Sequence, residues 1–154
     1  MIEPRPSTVS RLVKEWLPAV LWAAVIFISS TDLFSDTHTA AVIGPHLHFL
    51  FPDISPENLE RIHFLIRKLS HFSEYFILTV LLMRALRQEN ARRIERRHLL
   101  ISFAIATLYA ISDEFHQSFV RSRGSSTIDV CIDVFGGISG IFWSHRRNRS
   151  KKSA

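Results

Sequence analysis

"IRKLSHFSEYFILTVLL", residues 66–82, decides how this chain folds. Its Leu, Ile, Phe and Val residues make it apolar enough for a membrane-crossing helix, which needs about twenty residues for a hydrocarbon core of about 30 Å. Yet Lys68, His71 and Glu74 lie inside it. A charge at the centre of a bilayer costs about 2.5–3.5 kcal/mol on insertion scales. The segment is therefore stable in a membrane only if these side chains turn from lipid toward other helices or a water-filled pocket.

The rest of the chain supports a membrane setting. Of 154 residues, 47% are hydrophobic and twelve are Phe, and mean hydropathy is +0.12 despite nineteen Lys and Arg. Apolar and basic residues are therefore segregated. The basic blocks flank greasy segments, which is a topology signal. A nucleic-acid binder spreads basic residues over one folded face, so the net charge of +5 implies no nucleic-acid partner. The single cysteine, Cys131, excludes an intramolecular disulfide and a thiolate zinc cluster, and is expected to be a small buried hydrophobe.

Four segments have the character of transmembrane helices: residues 16–30, 64–83, 99–120 and 127–143. The expected fold is an all-α membrane protein, a bundle of about four transmembrane helices. A signal peptide competes for the first segment, since Arg11 and Lys14 precede a short apolar core, but no small-residue cleavage site follows. Six arginines lie between the second and third segments, in residues 84–98, and three arginines and two lysines end the chain. Residues 31–63 carry only Arg61 against five acidic residues. Positive-inside counting then places both termini in the cytoplasm. Residues 1–15 become a cytoplasmic N-terminal segment, 16–144 the membrane domain and 145–154 a basic cytoplasmic tail, disordered or lying on anionic lipid.

Residues 39–52, "TAAVIGPHLHFLFP", are apolar but too short to span, which suggests an interfacial or re-entrant segment. "SPENLERIHF" begins a helix, with Ser55 as cap, Pro56 at the first position and acids in the first turn.

With topology set, the polar residues converge. A rise of 1.5 Å per residue puts Lys68, His71 and Glu74 at depths of about 6, 10 and 15 Å below Phe64. Asp113, Glu114, His116 and Gln117 occupy the outer half of the third segment, and Asp129 and Asp133 that of the fourth, at an i, i+4 spacing. Arg121 and Arg123 lie in the turn above them. Lys68, His71 and Tyr75 share one side of the second segment. The expectation is a polar pocket open to the outside, lined by Lys68, His71, Glu74, Tyr75, Asp113, Glu114, Gln117, Arg121, Arg123, Asp129 and Asp133. Each member has a plain structural explanation too: Lys68 snorkels, His71 packs, Asp129 caps a helix, Arg121 and Arg123 bind lipid phosphates. Gly136, Gly137 and Gly140 suit close helix packing through small residues. His46, His48, His63 and His98 are expected at the membrane interface.

These motifs resemble the VanZ-like membrane proteins. The family pattern pairs Lys-x-x-His-x-x-Glu-Tyr with Asp-Glu-x-x-Gln, followed by Arg-x-x-x-x-x-Asp-x-x-x-Asp/Asn and glycines. Here it falls on Lys68, His71, Glu74 and Tyr75, then Asp113, Glu114 and Gln117, then Arg123, Asp129 and Asp133, with Ser29-Ser30 ending the first helix. Asp133 stands where the family often has Asn. The resemblance implies a small multi-pass protein of the bacterial plasma membrane, related to one associated with low-level resistance to teicoplanin, a lipid-tailed glycopeptide.

Two functional classes remain open at this point. The first is a non-enzymatic envelope protein whose pocket engages a membrane lipid headgroup or other amphiphilic ligand, without cofactor or metal. The second is a membrane enzyme, with or without a metal, acting on a lipid-linked envelope substrate through His71, Glu74, Asp113, Glu114 and His116. No H-E-x-x-H motif or nucleophile elbow is present, and His71-x-x-Glu74 alone is a weak metal signal. A proton-coupled transporter is a third option, but four helices are few for alternating access unless the protein is a homodimer.

Overall fold

The computed structural model describes residues 8–31, 36–87, 94–120 and 126–150. Among them all regular structure is α-helical: α1 (Thr8–Ser29), α2 (Asp36–Leu50), α3 (Pro56–Leu86), α4 (Arg96–Gln117) and α5 (Thr127–Ser150). Within α1 and α5, Leu12–Ser29 and Thr127–Asn148 are long and apolar enough to cross a membrane, as are α3 and α4 over their whole lengths. The expected four-span architecture is present.

The molecule is built inside out relative to a water-soluble domain. Leu17, Val20, Leu21, Phe27, Leu69, Leu108, Ile111, Phe115, Phe135 and Phe142 are all exposed. Inward, the described residues bury ten polar or charged side chains against nine hydrophobic ones. In water such an arrangement would lose most of its hydrophobic driving force; in lipid the apolar belt is solvated and the polar groups find each other.

α3 is the central helix, packing on α1, α2, α4 and most broadly on α5. Its start is as the sequence predicts: the Ser55 hydroxyl accepts the Asn58 N–H, and Pro56 follows at the first position. Its 31 residues make about 46 Å, so it overreaches a hydrocarbon core of about 30 Å. The α3–α5 contact depends on small residues. A Cβ on Gly136 would lie 2.4 Å from the Phe72 carbonyl oxygen, and one on Gly140 2.7 Å from that of Phe76. The apolar core holds Ala19, Ile26, Tyr75, Leu78, Leu82, Ala106 and Ala110, with Trp16 and Trp22 against it.

Several expectations change. The apolar stretch 39–52 contributes most of α2, a helix that continues through Gly44-Pro45 to Leu50. α5 runs on to Ser150, so the basic tail is helical over its first six residues, with Arg146 and Arg147 stacked on Phe142 and Trp143 at 5.0 Å. Those stacks hold the arginine stems along the helix and keep its last turns intact. Cys131 is exposed, not buried. Two residues beyond Asp129, it is rotated by about 200° to the opposite face of α5. His98 is buried, its ring accepting the Glu95 backbone N–H at 3.0 Å at the start of α4.

Candidate functional site

Antiparallel neighbours bring the end of α1, the upper part of α3, the end of α4 and the start of α5 to one end of the bundle. There the structure assembles a buried ionic cluster. Asp129, 1% exposed, accepts from Lys68 Nζ on one carboxylate oxygen and from Arg67 Nη2 on the other, the latter at 3.0 Å. His71 Nδ1 stands 3.0 Å from Asp133 Oδ1, and its Nε2 faces Asp129 Oδ2 at 3.9 Å. The imidazole is thus held between two carboxyl groups of α5, with Nδ1 on Asp133 and Nε2 aimed at Asp129.

The α4 residues close the cluster from the other side. Glu114 Oε2 accepts the Ser126 backbone N–H at 2.7 Å, tying the start of α5 to α4. Gln117 donates to Asp113 Oδ2 at 3.0 Å and to the Ser30 hydroxyl at 3.3 Å, which fixes the end of α1. Ser30, Asp113, Glu114 and Gln117 are 5% exposed or less, and Ser126 is half-buried. Among the described residues, Glu114 Oε1, Asp133 Oδ2 and the Tyr75 hydroxyl find no hydrogen-bond partner.

Glu74 joins this end of the bundle from the α1 side. It faces α1 rather than Lys68, accepting from the Ser29 hydroxyl at 2.9 Å, while its backbone carbonyl accepts the Trp22 indole N–H at 2.9 Å. Lys68 and Glu74 are six residues apart, about 240° around the helix, so Lys68 turns to α5 and Glu74 to α1. His116 sits outside the cluster, its ring 4.8 Å from that of Phe27. Asp129 is an ion-pair partner and not a helix cap. Arg121 and Arg123 lie outside the described residues.

Arg67 is the member that the sequence reading passed over. A signal for it exists: it lies four residues before His71 and so shares its face of α3. Trp22 and Ser126 act through a helix carbonyl and a backbone N–H, contacts that residue type alone does not announce.

Three donors from three helices also converge. His71, Glu114 and Asp129 each offer a ligand atom, all within 4.8 Å of one another. An imidazole with two carboxylates suits zinc or another divalent transition ion.

The fold and the cluster define a multi-pass α-helical membrane protein whose spans share an ionic core at one end. The chain belongs to the VanZ/LLP1 family, whose model matches residues 16–146. No curated protein and no solved structure matches it.

Proposed function

We propose that this is an amphiphile-engaging protein of the bacterial plasma membrane, its cluster end facing outward, and that it acts on lipid-tailed molecules of the envelope such as teicoplanin-type glycopeptides. One juxtaposition carries the reading. A groove of about 620 Å³ lined by Glu57, Glu60, Arg61, Phe64 and Leu65 lies one turn above Arg67 and Lys68, and the Lys68 ammonium rests 4.8 Å from the Phe64 ring centroid. On the other side of Arg61 a second groove, of about 610 Å³, is walled mostly by Leu50, Phe51, Pro52, Ile54 and Ile62, with Asp53 and Asn58 at its polar side. An acyl chain fits the apolar walls, and an anionic headgroup fits the cations beneath. Arginine forks onto phosphate or carboxylate in two parallel bonds, and Arg121 and Arg123, between α4 and α5 in sequence, supply two more such side chains. The outward orientation rests on positive-inside counting.

A fluorescent short-chain phosphatidylglycerol titrated into detergent-solubilised protein tests the headgroup. Lys68→Gln and Arg123→Ala should each weaken binding about tenfold, the loss of one charge-assisted bond of about 1.5 kcal/mol. Unchanged affinity in both variants refutes the headgroup role. Growth of a susceptible Gram-positive host across teicoplanin and vancomycin concentrations tests the ligand class. Protection against teicoplanin that vanishes in Glu74→Gln and Asp113→Asn, at matched membrane abundance, ties the cluster to resistance.

A second reading, an enzyme acting on a lipid-linked envelope substrate, is favoured by the convergence of His71, Glu114 and Asp129. Hydrolysis of a lipid-linked phosphate by the purified protein, lost in Glu114→Gln, would select it.

A further inference from the structure

We infer that His71, Glu114 and Asp129 form a binding site for one divalent transition-metal ion, zinc by donor set, with Asp133 as the residue that orients the imidazole. The inference is independent of the amphiphile reading and uses different side chains of the same cluster end.

Four observations converge on it. The first is the donor geometry. Ligands about 2.0–2.2 Å from a tetrahedral zinc stand about 3.2–3.6 Å apart. His71 Nε2 and Asp129 Oδ2 are already at 3.9 Å, and the three donors lie within 4.8 Å of one another. Small side-chain rotations close the rest. The second is the support behind the imidazole: Nδ1 contacts Asp133 at 3.0 Å while Nε2 is aimed at Asp129, the carboxylate–histidine arrangement typical of metal sites.

The third is an orphan. Glu114 is 5% exposed, its Oε2 is taken by Ser126, and its buried Oε1 has no partner among the described residues. A buried carboxylate oxygen left unpaired is costly, and a cation between Glu114, His71 and Asp129 removes that cost. The fourth is donor chemistry. Glu114, Asp129 and Asp133 bring three buried carboxyl groups around His71, an oxygen-rich setting with one imidazole that suits a divalent transition ion.

Lys68 and Arg67 also touch Asp129, one on each oxygen. A carboxylate oxygen has two lone pairs, so Asp129 Oδ2 can hold Arg67 and face the ion as well; ligating carboxylates are commonly supported by such bonds. Three protein ligands would leave one tetrahedral position for water or for an oxygen of a bound molecule.

The test uses the full chain, purified in detergent without a polyhistidine tag, exposed to Zn²⁺ or Co²⁺ alone and then exhaustively exchanged. Elemental analysis should find about one equivalent, and Co²⁺ should give the intense visible absorption of a low-coordinate site. Glu114→Gln should lower affinity by at least about 100-fold, and Asp133→Asn by about 10–100-fold, as expected for loss of an outer partner. A His46→Asn/His48→Asn double variant should bind as the parent does. Less than about a tenth of an equivalent in the parent overturns the site, and this result needs no variant to fold. Retention in Glu114→Gln, or loss in the His46/His48 variant, overturns it equally. Since the probe is the metal alone, failure here is distinct from a failure to bind lipid.

Discussion

Replacing Gly136 by Ala should loosen the bundle where its ionic cluster is anchored. An ideal Cβ there would meet the Phe72 carbonyl oxygen at 2.4 Å and the Phe72 carbonyl carbon at 3.1 Å. Carbon–oxygen contacts between close helices settle at about 3.3–3.6 Å, so α3 and α5 must part by roughly 1 Å. Neither contacting atom belongs to a flexible side chain, so the backbones themselves must move. Overpacking of this kind costs about 1–3 kcal/mol. The site also lies one turn along α5 from Asp133, whose partner His71 adjoins Phe72. A separation of about 1 Å would stretch the 3.0 Å His71–Asp133 contact past hydrogen-bonding range. Loss of a bond to a charged group adds about 1.5–3 kcal/mol, for a total of about 2.5–6 kcal/mol. Gly140→Ala, 2.7 Å from the Phe76 carbonyl oxygen and a further turn from the cluster, should cost only the packing part, about 1–3 kcal/mol. Gly137→Ala meets just the Thr79 hydroxyl at 3.2 Å and should cost under about 1 kcal/mol. Reversible unfolding in mixed micelles measures all three. If Gly136→Ala lies within about 0.5 kcal/mol of the parent, or Gly137→Ala is the costliest, the close-approach account of this interface is wrong.

Asp129→Asn strips the counter-charge from both Lys68 and Arg67 and should destabilise by about 3–5 kcal/mol, whereas Lys68→Met, which leaves the Arg67 pair in place, should cost clearly less in the same unfolding assay. Tyr109→Phe removes a 2.7 Å bond from its hydroxyl to the Ala23 carbonyl and should cost about 1 kcal/mol, while Tyr75→Phe, whose hydroxyl has no partner among the described residues, should be near neutral. Equal costs for the two tyrosines would contradict this assignment. Enzyme fusions placed after residue 90 and after the C-terminus should report the cytoplasmic side in both cases; a periplasmic or external signal at either would overturn the positive-inside topology.

The spans were legible in the sequence because length and hydropathy in a membrane leave few alternatives. The cluster was legible as a level in the membrane: Lys68, His71, Asp113, Glu114, Asp129 and Asp133 fall at one depth whichever way each helix is rotated. Rotation was the part that depth could not supply. Lys68, His71 and Glu74 look like one wall when counted at three-residue steps, yet each step of three falls about 60° short of a full turn. Over six residues the deficit separates Lys68 from Glu74 by a third of the circumference, and Glu74 ends on Ser29 of α1. Arg67 was obscured for the converse reason, because a long side chain near a helix end is equally compatible with snorkelling to the interface.

The same physics explains why so many carboxylates persist at one end of the bundle. In water, a core holding Asp113, Glu114, Asp129 and Asp133 would be less stable than an apolar one of the same shape. In lipid, apolar side chains gain nothing from facing inward, since hydrocarbon surrounds them on either side. Specific polar contacts and close packing are then what hold helices together, and the two coincide on α5: Asp129 and Asp133 bind α3, and Gly136 and Gly140 bring its backbone against the same helix. The contacts that hold α5 in place are therefore also the contacts that aim Asp129 and the His71 imidazole at each other. A variant that swells the glycine face beside the cluster should for this reason lose metal and amphiphile binding before it loses helix content, an order that circular dichroism and binding measured on Gly136→Ala can establish.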